Sequence, residues 1–257
     1  MQSNYKPYDF QKSLNRLDSN LNGSYTYEEL DSIPTRDKLT FNNGFYVKCS
    51  ALFVDIRKSS QLPQLHKRPV LARIYRNYIS EIVSILNSFV SCKEINIIGD
   101  CVSGIFDAKK AQHFLDVYQA SIMINGIVSI LNQKLIKRGI TPISIGIGVA
   151  YGRALMIKTG ANGSGINDVV WMGEVVNQAS NYCNMANKQG IKTVVIDSKI
   201  HANIGEEQHF FTKRQIFEDW YHGDVVSKVM NGWIITEKYK KQVSPLPNFD
   251  DIFKRFL

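Results

Sequence analysis

The chain has 257 residues, 44% of them hydrophobic, and a formal charge of +8; it can bury a full domain core, and its basic balance favours a negatively charged partner. No apolar run approaches the roughly 20 residues that span a bilayer, and the opening MQSNYKPYDF lacks the apolar core of a signal peptide. A cytoplasmic protein with no membrane association is the expectation.

The basic residues are spread along the chain, without a helix-turn-helix, zinc-finger or RNA-binding signature, so a nucleotide explains them as well as a nucleic acid does. Cys49, Cys92, Cys101 and Cys183 show no CxxC spacing, which predicts buried free thiols and neither disulfides nor zinc.

Residues 1–40 are polar, with a weak helical stripe of Phe10, Leu14, Leu17 and Leu21; they read as a leader helix and a connector. Tyr46 to Ser60, YVKCSALFVDIRKSS, is a β-rich run that ends on Asp55 and then turns polar. From Leu65 to Val90 the residues Val70, Ile74, Tyr78, Ile82, Ile85, Leu86 and Phe89 keep a helical period and predict a core-facing helix. Lys93–Phe106 reads as a hairpin with Gly99 and Asp100 at its tip. A second long helix is expected over Ala108–Arg138, ended by Gly139.

ISIGIGVAY, 143–151, is a strand whose glycines mark close backbone approach, with Ala154–Lys158 expected to pair back across Gly152. GANGSG, 160–165, is a loop. Asp168–Trp171 leads into a helix over Glu174–Asn187, on which Asn177 and Asn181 share a face. Ile191–Ile196, Phe210–Glu218 and Val225–Thr236 are read as strands, the last two as an antiparallel ribbon. The tail from Glu237 is basic, and Pro245 and Pro247 argue against regular structure there. Strands and helices interleave around one mixed sheet, an α+β chain with one main unit over 41–236.

Asp55 and Asp100 both stand at strand ends, which suits a hard dication such as Mg2+ or Mn2+ that takes one or two carboxylates plus phosphate oxygens. The turn that follows Asp55, with Arg57, Lys58, Ser59 and Ser60, offers N–H groups, hydroxyls and charge to a polyphosphate. Each acid has an equally ordinary reading, Asp55 as a cap and Asp100 as a plain hairpin residue.

The order FVDI, long helix, NIIGD at a hairpin, SIGIGVAYG and then WMGEVVNQASN resembles the catalytic domain of the class III nucleotide cyclases. The variant FVDIRKSS looks most like the pyrimidine cyclases of the Pycsar antiphage systems. The resemblance implies a mainly antiparallel sheet flanked by helices, the ferredoxin-like palm. It makes Asp55 and Asp100 the carboxylates for two Mg2+ or Mn2+ ions, with Ile56 giving a backbone carbonyl and Asn177 orienting the ribose.

It further implies a homodimer with composite sites, UTP or CTP as substrate, cUMP or cCMP as product, and a separate cyclic-nucleotide effector protein downstream. Where purine cyclases place their base readers this chain has Asn96 and Val170, which points away from ATP and GTP; an Asn amide suits either pyrimidine. The transition-state arginine expected one turn after Asn177 is Asn181, for which Arg57 and Lys228 are the candidate replacements. Tyr46 reads first as a core or edge residue and second as a stacking surface for a small base. A silent nucleotide-binding or dimerisation module and a purine cyclase are the alternatives.

Overall fold

The computed structural model describes residues 2–3, 5–162 and 165–240. The strands are β1 (Thr26–Leu30), β2 (Asn43–Ile56), β3 (Cys92–Ile98), β4 (Cys101–Asp107), β5 (Ile145–Ala161), β6 (Ile166–Met172), β7 (Val194–Asp197) and β8 (Trp220–Gly223). The helices are α1 (Phe10–Asn22), α2 (Leu62–Leu65), α3 (Arg68–Asn87), α4 (Ala111–Ile136), α5 (Glu174–Met185), α6 (Ser198–Ala202) and α7 (Lys228–Lys240).

The eight strands form one sheet in the order β3-β4-β2-β5-β7-β8, with β1 added to β2 and β6 to β5. Among the described residues, only β1 with β2 and β5 with β7 pair in parallel. The run β2-α3-β3-β4-α4-β5 on the order β3-β4-β2-β5 is the ferredoxin-like βαββαβ arrangement, as the resemblance implied.

Alternation along β2 sorts its side chains to two cores. Leu52, Val54 and Ile56 face α3 and α4, and Val47, Cys49 and Ala51 face α5 and the 31–41 segment. Helix α3 forms where the sequence places Ile74, Tyr78, Ile82, Ile85 and Leu86 on one buried stripe; burying each such side chain is worth about 1.5–3 kcal/mol. Pro69 sits in its first turn, where a missing N–H costs nothing.

On β5, Ile145, Ile147 and Val149 fill the first core. The alternate Gly146 and Gly148 let α5 lie directly on the backbone, and a Cβ at Gly148 would stand 2.1 Å from the Cys183 nitrogen. The cysteines are free thiols, Cys49 and Cys183 buried and Cys92 and Cys101 half-buried.

Several expectations are corrected. Strand β5 runs unbroken through Gly152, because β2 pairs with it from Gly44 to Ile56 and no turn interrupts it; the residues that pair back are those of β6. The stretch read as a connector contains β1, held against β2. The expected Phe210–Glu218 strand is a 3-10 turn over Gly205–Phe210 followed by a single bridge, Thr212 to His222. A polar turn closed by the Gln215 N–H on Glu218 stops it there.

The expected Val225–Thr236 strand is mostly helix α7. Met230 drops into the notch at Gly126 of α4, and Lys137 pairs with Glu237 at 2.7 Å, so packing on α4 overrides the β-branched composition. Helix α7 carries regular structure to Lys240, and the remainder of the predicted tail lies outside the described residues, as do two residues of the 160–165 loop.

Helix α4 does reach spanning length and apolarity, contrary to the sequence expectation. Ten of its residues, among them Val117, Tyr118, Ile124 and Val128, are instead buried in the fold.

Candidate active site

Asp55 reaches the end of β2 on the α5 side of the sheet, and the β3-β4 hairpin, turned by Gly99 at φ 64°, sets Asp100 beside it. The two carboxyls lie within hydrogen-bonding reach. Burial, first, and then the Asp100 charge push the Asp55 carboxyl above its usual range, while Arg57 and Lys188 pull it down. Asp100 Oδ2 is buried with no hydrogen-bond partner among the described residues. Two crowded carboxylates, one with an orphaned oxygen, call for a cation.

Arg57 does not stand in the open turn as the sequence reading placed it. Its side chain is 8% exposed and sits 3.6 Å from Asp55 Oδ2. It donates to the Asp55 carbonyl at 3.3 Å and to the Asn184 carbonyl at 3.1 Å. Gly146 makes the space: a Cβ there would lie 2.8 Å from the guanidinium. Arg57 therefore fastens the last turn of α5 to the strand end that bears Asp55, and it is not a free cation for a leaving phosphate.

Lys58 follows at φ 56°, and Ser59 and Ser60 make a short 3-10 turn whose rim is exposed. Ile56 buries its side chain, leaving its backbone as what it offers to the turn.

Asn177 and Asn181 lie one turn apart on the exposed face of α5. Asn96 is half-buried on β3 opposite Ser103, and Val170 is 37% exposed on β6. Lys228 begins α7, is almost fully exposed and faces Glu207 at 3.8 Å. It belongs to the helical layer opposite α5, so the structure removes it from the cluster.

Tyr46 lies nine residues before Asp55 on β2, about 30 Å away at strand rise. Its ring is covered by Arg153 at 3.9 Å and packs near Tyr27. The structure does not bring it to the acids.

Two residues escaped the sequence reading. Lys188, just past α5, bonds Asn184 Oδ1 at 2.7 Å and adds positive potential at Asp55. Arg36, in the 3-10 turn Arg36–Lys38 between β1 and β2, bonds Glu94 and Asp168. Neither sits in a motif, and only the folded topology sets Lys188 by Asp55 and Arg36 between Glu94 and Asp168.

A family model described as "Adenylate and Guanylate cyclase catalytic domain" matches residues 42–227. A uridylate cyclase from Gulbenkiania mobilis is 45% identical over 255 residues, covering 91% of this chain and 98% of that protein. A uridylate cyclase from Treponema porcinum is 33% identical over 231 residues, covering 88% of this chain and 81% of that protein. Among solved structures, the adenylyl cyclase CyaB from P. aeruginosa superposes with a TM-score of 0.59 at 21% identity, over 70% of this chain and 94% of that one; at that identity the likeness speaks for the fold alone.

Proposed function

This chain belongs to the adenylate and guanylate cyclase catalytic domain family, and from that premise we propose that it converts UTP to 3',5'-cyclic UMP and pyrophosphate at sites shared between two copies of the chain. It is a nucleotide cyclase. The observation that carries the base choice is the 45% identity, over nearly its whole length, to a protein named uridylate cyclase. Asn96 and Val170 agree with it, since neither supplies a charged reader for a purine edge.

The family uses divalent metal ions, and the Asp55–Asp100 pair fits them: hard oxygen donors, crowded, with one buried oxygen unpaired. When bound, two Mg2+ or Mn2+ ions would lower the pKa of the 3'-hydroxyl and neutralise the leaving phosphates. The 3'-oxygen attacks the α-phosphorus, the bond to the bridging oxygen of pyrophosphate breaks, and the hydroxyl proton passes to solvent.

Asp55, Asp100 and the Ile56 carbonyl hold the charge, and Arg57 keeps Asp55 aimed. The N–H groups and hydroxyls of half-buried Ser59 and exposed Ser60 receive the triphosphate, with Lys188 as the nearby cation. Asn177 orients the ribose, and Asn96 pairs with the pyrimidine edge beside Val170. Asn177 stands on a face of α5 that a second chain can reach, so one copy supplies the acids and the other the base and ribose contacts.

The protein acts in the cytoplasm, and its product addresses a separate effector in antiphage signalling, as the resemblance to the Pycsar cyclases implies. Purified protein with UTP and Mn2+ is expected to release cyclic UMP and pyrophosphate in equal amounts, and the Asp100→Asn variant none. Absence of any cyclic product from the wild type would leave a silent nucleotide-binding module.

A further inference from the structure

Glu94 of β3 is 6% exposed, the depth at which a carboxylate needs a partner. Arg36 is that partner. Its Nε donates to Oε1 at 2.9 Å and to Oε2 at 3.1 Å, and its Nη2 donates to Oε2 as well. Its remaining edge, Nη1, donates to Asp168 Oδ1 on β6 at 3.0 Å. The planar fork of one guanidinium thus joins two strands, in a way a lysine could not reproduce.

The turn that presents Arg36 is itself held. The Ile33 N–H donates to Asp107 Oδ1 at 2.8 Å, and Ile33 and Leu39 are buried in the core beneath α5.

The two strands so joined carry the two base-reader positions. Asn96 lies two residues after Glu94 in unbroken register, hence on the same face of β3. Val170 lies two residues after Asp168 on β6. β3 is at one edge of the sheet and β6 is attached to β5, so they share no ladder. We infer that the Glu94–Arg36–Asp168 bridge ties the strand that carries Asn96 to the strand that carries Val170, making Arg36 a positioning residue for base selection. The inference rests on the proposed function, because it takes those two positions as the base pocket.

The test compares kcat/KM for UTP and for ATP in the wild type and in two variants. Asp168→Ala releases the β6 arm, together with the bond that the Val169 N–H donates to Asp168 Oδ1 at 2.8 Å, and leaves the buried pair whole. Arg36→Met with Glu94→Leu removes both buried charges together and so avoids stranding either. A merely structural role would lower both substrates' kcat/KM in proportion.

The bridge predicts that the UTP preference narrows by about three- to fivefold in Asp168→Ala, an exposed arm, and by at least about tenfold in the double variant, while cyclic UMP is still formed. Both variants keeping the wild-type ratio, with melting curves that show them folded, would overturn the bridge and leave the proposed function standing. A wild type without pyrimidine preference would overturn both.

Discussion

Gly148→Ala tests how the fold delivers α5 to the site. A Cβ at that position would lie 2.1 Å from the Cys183 nitrogen and 2.2 Å from the Ala179 carbonyl oxygen, where ordinary contact begins at 3.4 Å. Both obstacles are backbone, so relief requires α5 to lift off β5 by more than an ångström. Overpacking of this kind costs about 1–3 kcal/mol or more, against which the lower chain entropy of Ala returns less than about 1 kcal/mol.

For a domain of this size each kcal/mol is about 2–4 °C in Tm, so a fall of roughly 5–10 °C is expected. Activity should fall further, on the order of a hundredfold, because α5 carries Asn177, the proposed ribose contact, and an ångström of misplacement costs about that much.

Two neighbouring glycines of β5 meet α5 less closely. At Gly146 the obstacles are the Cys183 carbonyl at 2.6 Å and the Arg57 guanidinium at 2.8 Å, so damage is intermediate. At Gly152 the nearest atom is the Val175 Cβ at 3.1 Å, and Ala is nearly neutral there. Thermal melts and initial rates of the three variants give the order directly. A Gly148→Ala protein with wild-type Tm and rate, or one less damaged than Gly152→Ala, would refute the close seating of α5.

Asp100→Asn removes the charge that helps to raise the Asp55 carboxyl, so the metal-free protein gains about 1 kcal/mol or less at neutral pH after allowance for solvent screening. Because the folded-state pKa of Asp55 is raised, the folded protein holds that proton more tightly than the unfolded chain, and stability is lost as pH rises through the raised value. The Asp100→Asn gain should therefore be present at neutral pH and vanish in acid; a gain that grows on acidification contradicts it.

Adding Mn2+ should raise the Tm of the wild type and not of Asp100→Asn. Mixing Asp55→Ala with Asn177→Ala should restore about a quarter of wild-type activity, since random exchange puts half the chains in mixed dimers with one intact site of two; no recovery despite demonstrated exchange rules out the shared site. Tyr78→Phe removes a buried hydroxyl with no partner among the described residues and should be neutral or stabilising by about 1 kcal/mol, whereas a marked fall in Tm would reveal a partner.

The central fold was legible because its signals are local and periodic. The stripe from Ile74 to Leu86, the Gly99–Asp100 turn and the alternating glycines of β5 each state their own geometry. The late chain was not, because Val225–Thr236 has strand composition, and only the notch at Gly126, about a hundred residues earlier, makes it a helix.

At the site, Asp55 and Asp100 were readable as strand-end acids, whereas Arg57 was misread. Its position beside two serines looks like a phosphate turn, and the burial that turns it towards Asn184 comes from Gly146 and α5. Arg36 was invisible for the same reason, since both its partners lie more than fifty residues away.

Base choice is measured in a competition in which purified wild-type protein meets UTP, CTP, ATP and GTP together at equal concentration with Mn2+, and the cyclic products are resolved. Cyclic UMP is expected as the main product, with pyrimidines favoured over either purine by at least about a hundredfold in kcat/KM, equivalent to roughly 2.7 kcal/mol of differential transition-state binding. Cyclic AMP or cyclic GMP formed as readily as cyclic UMP would contradict it.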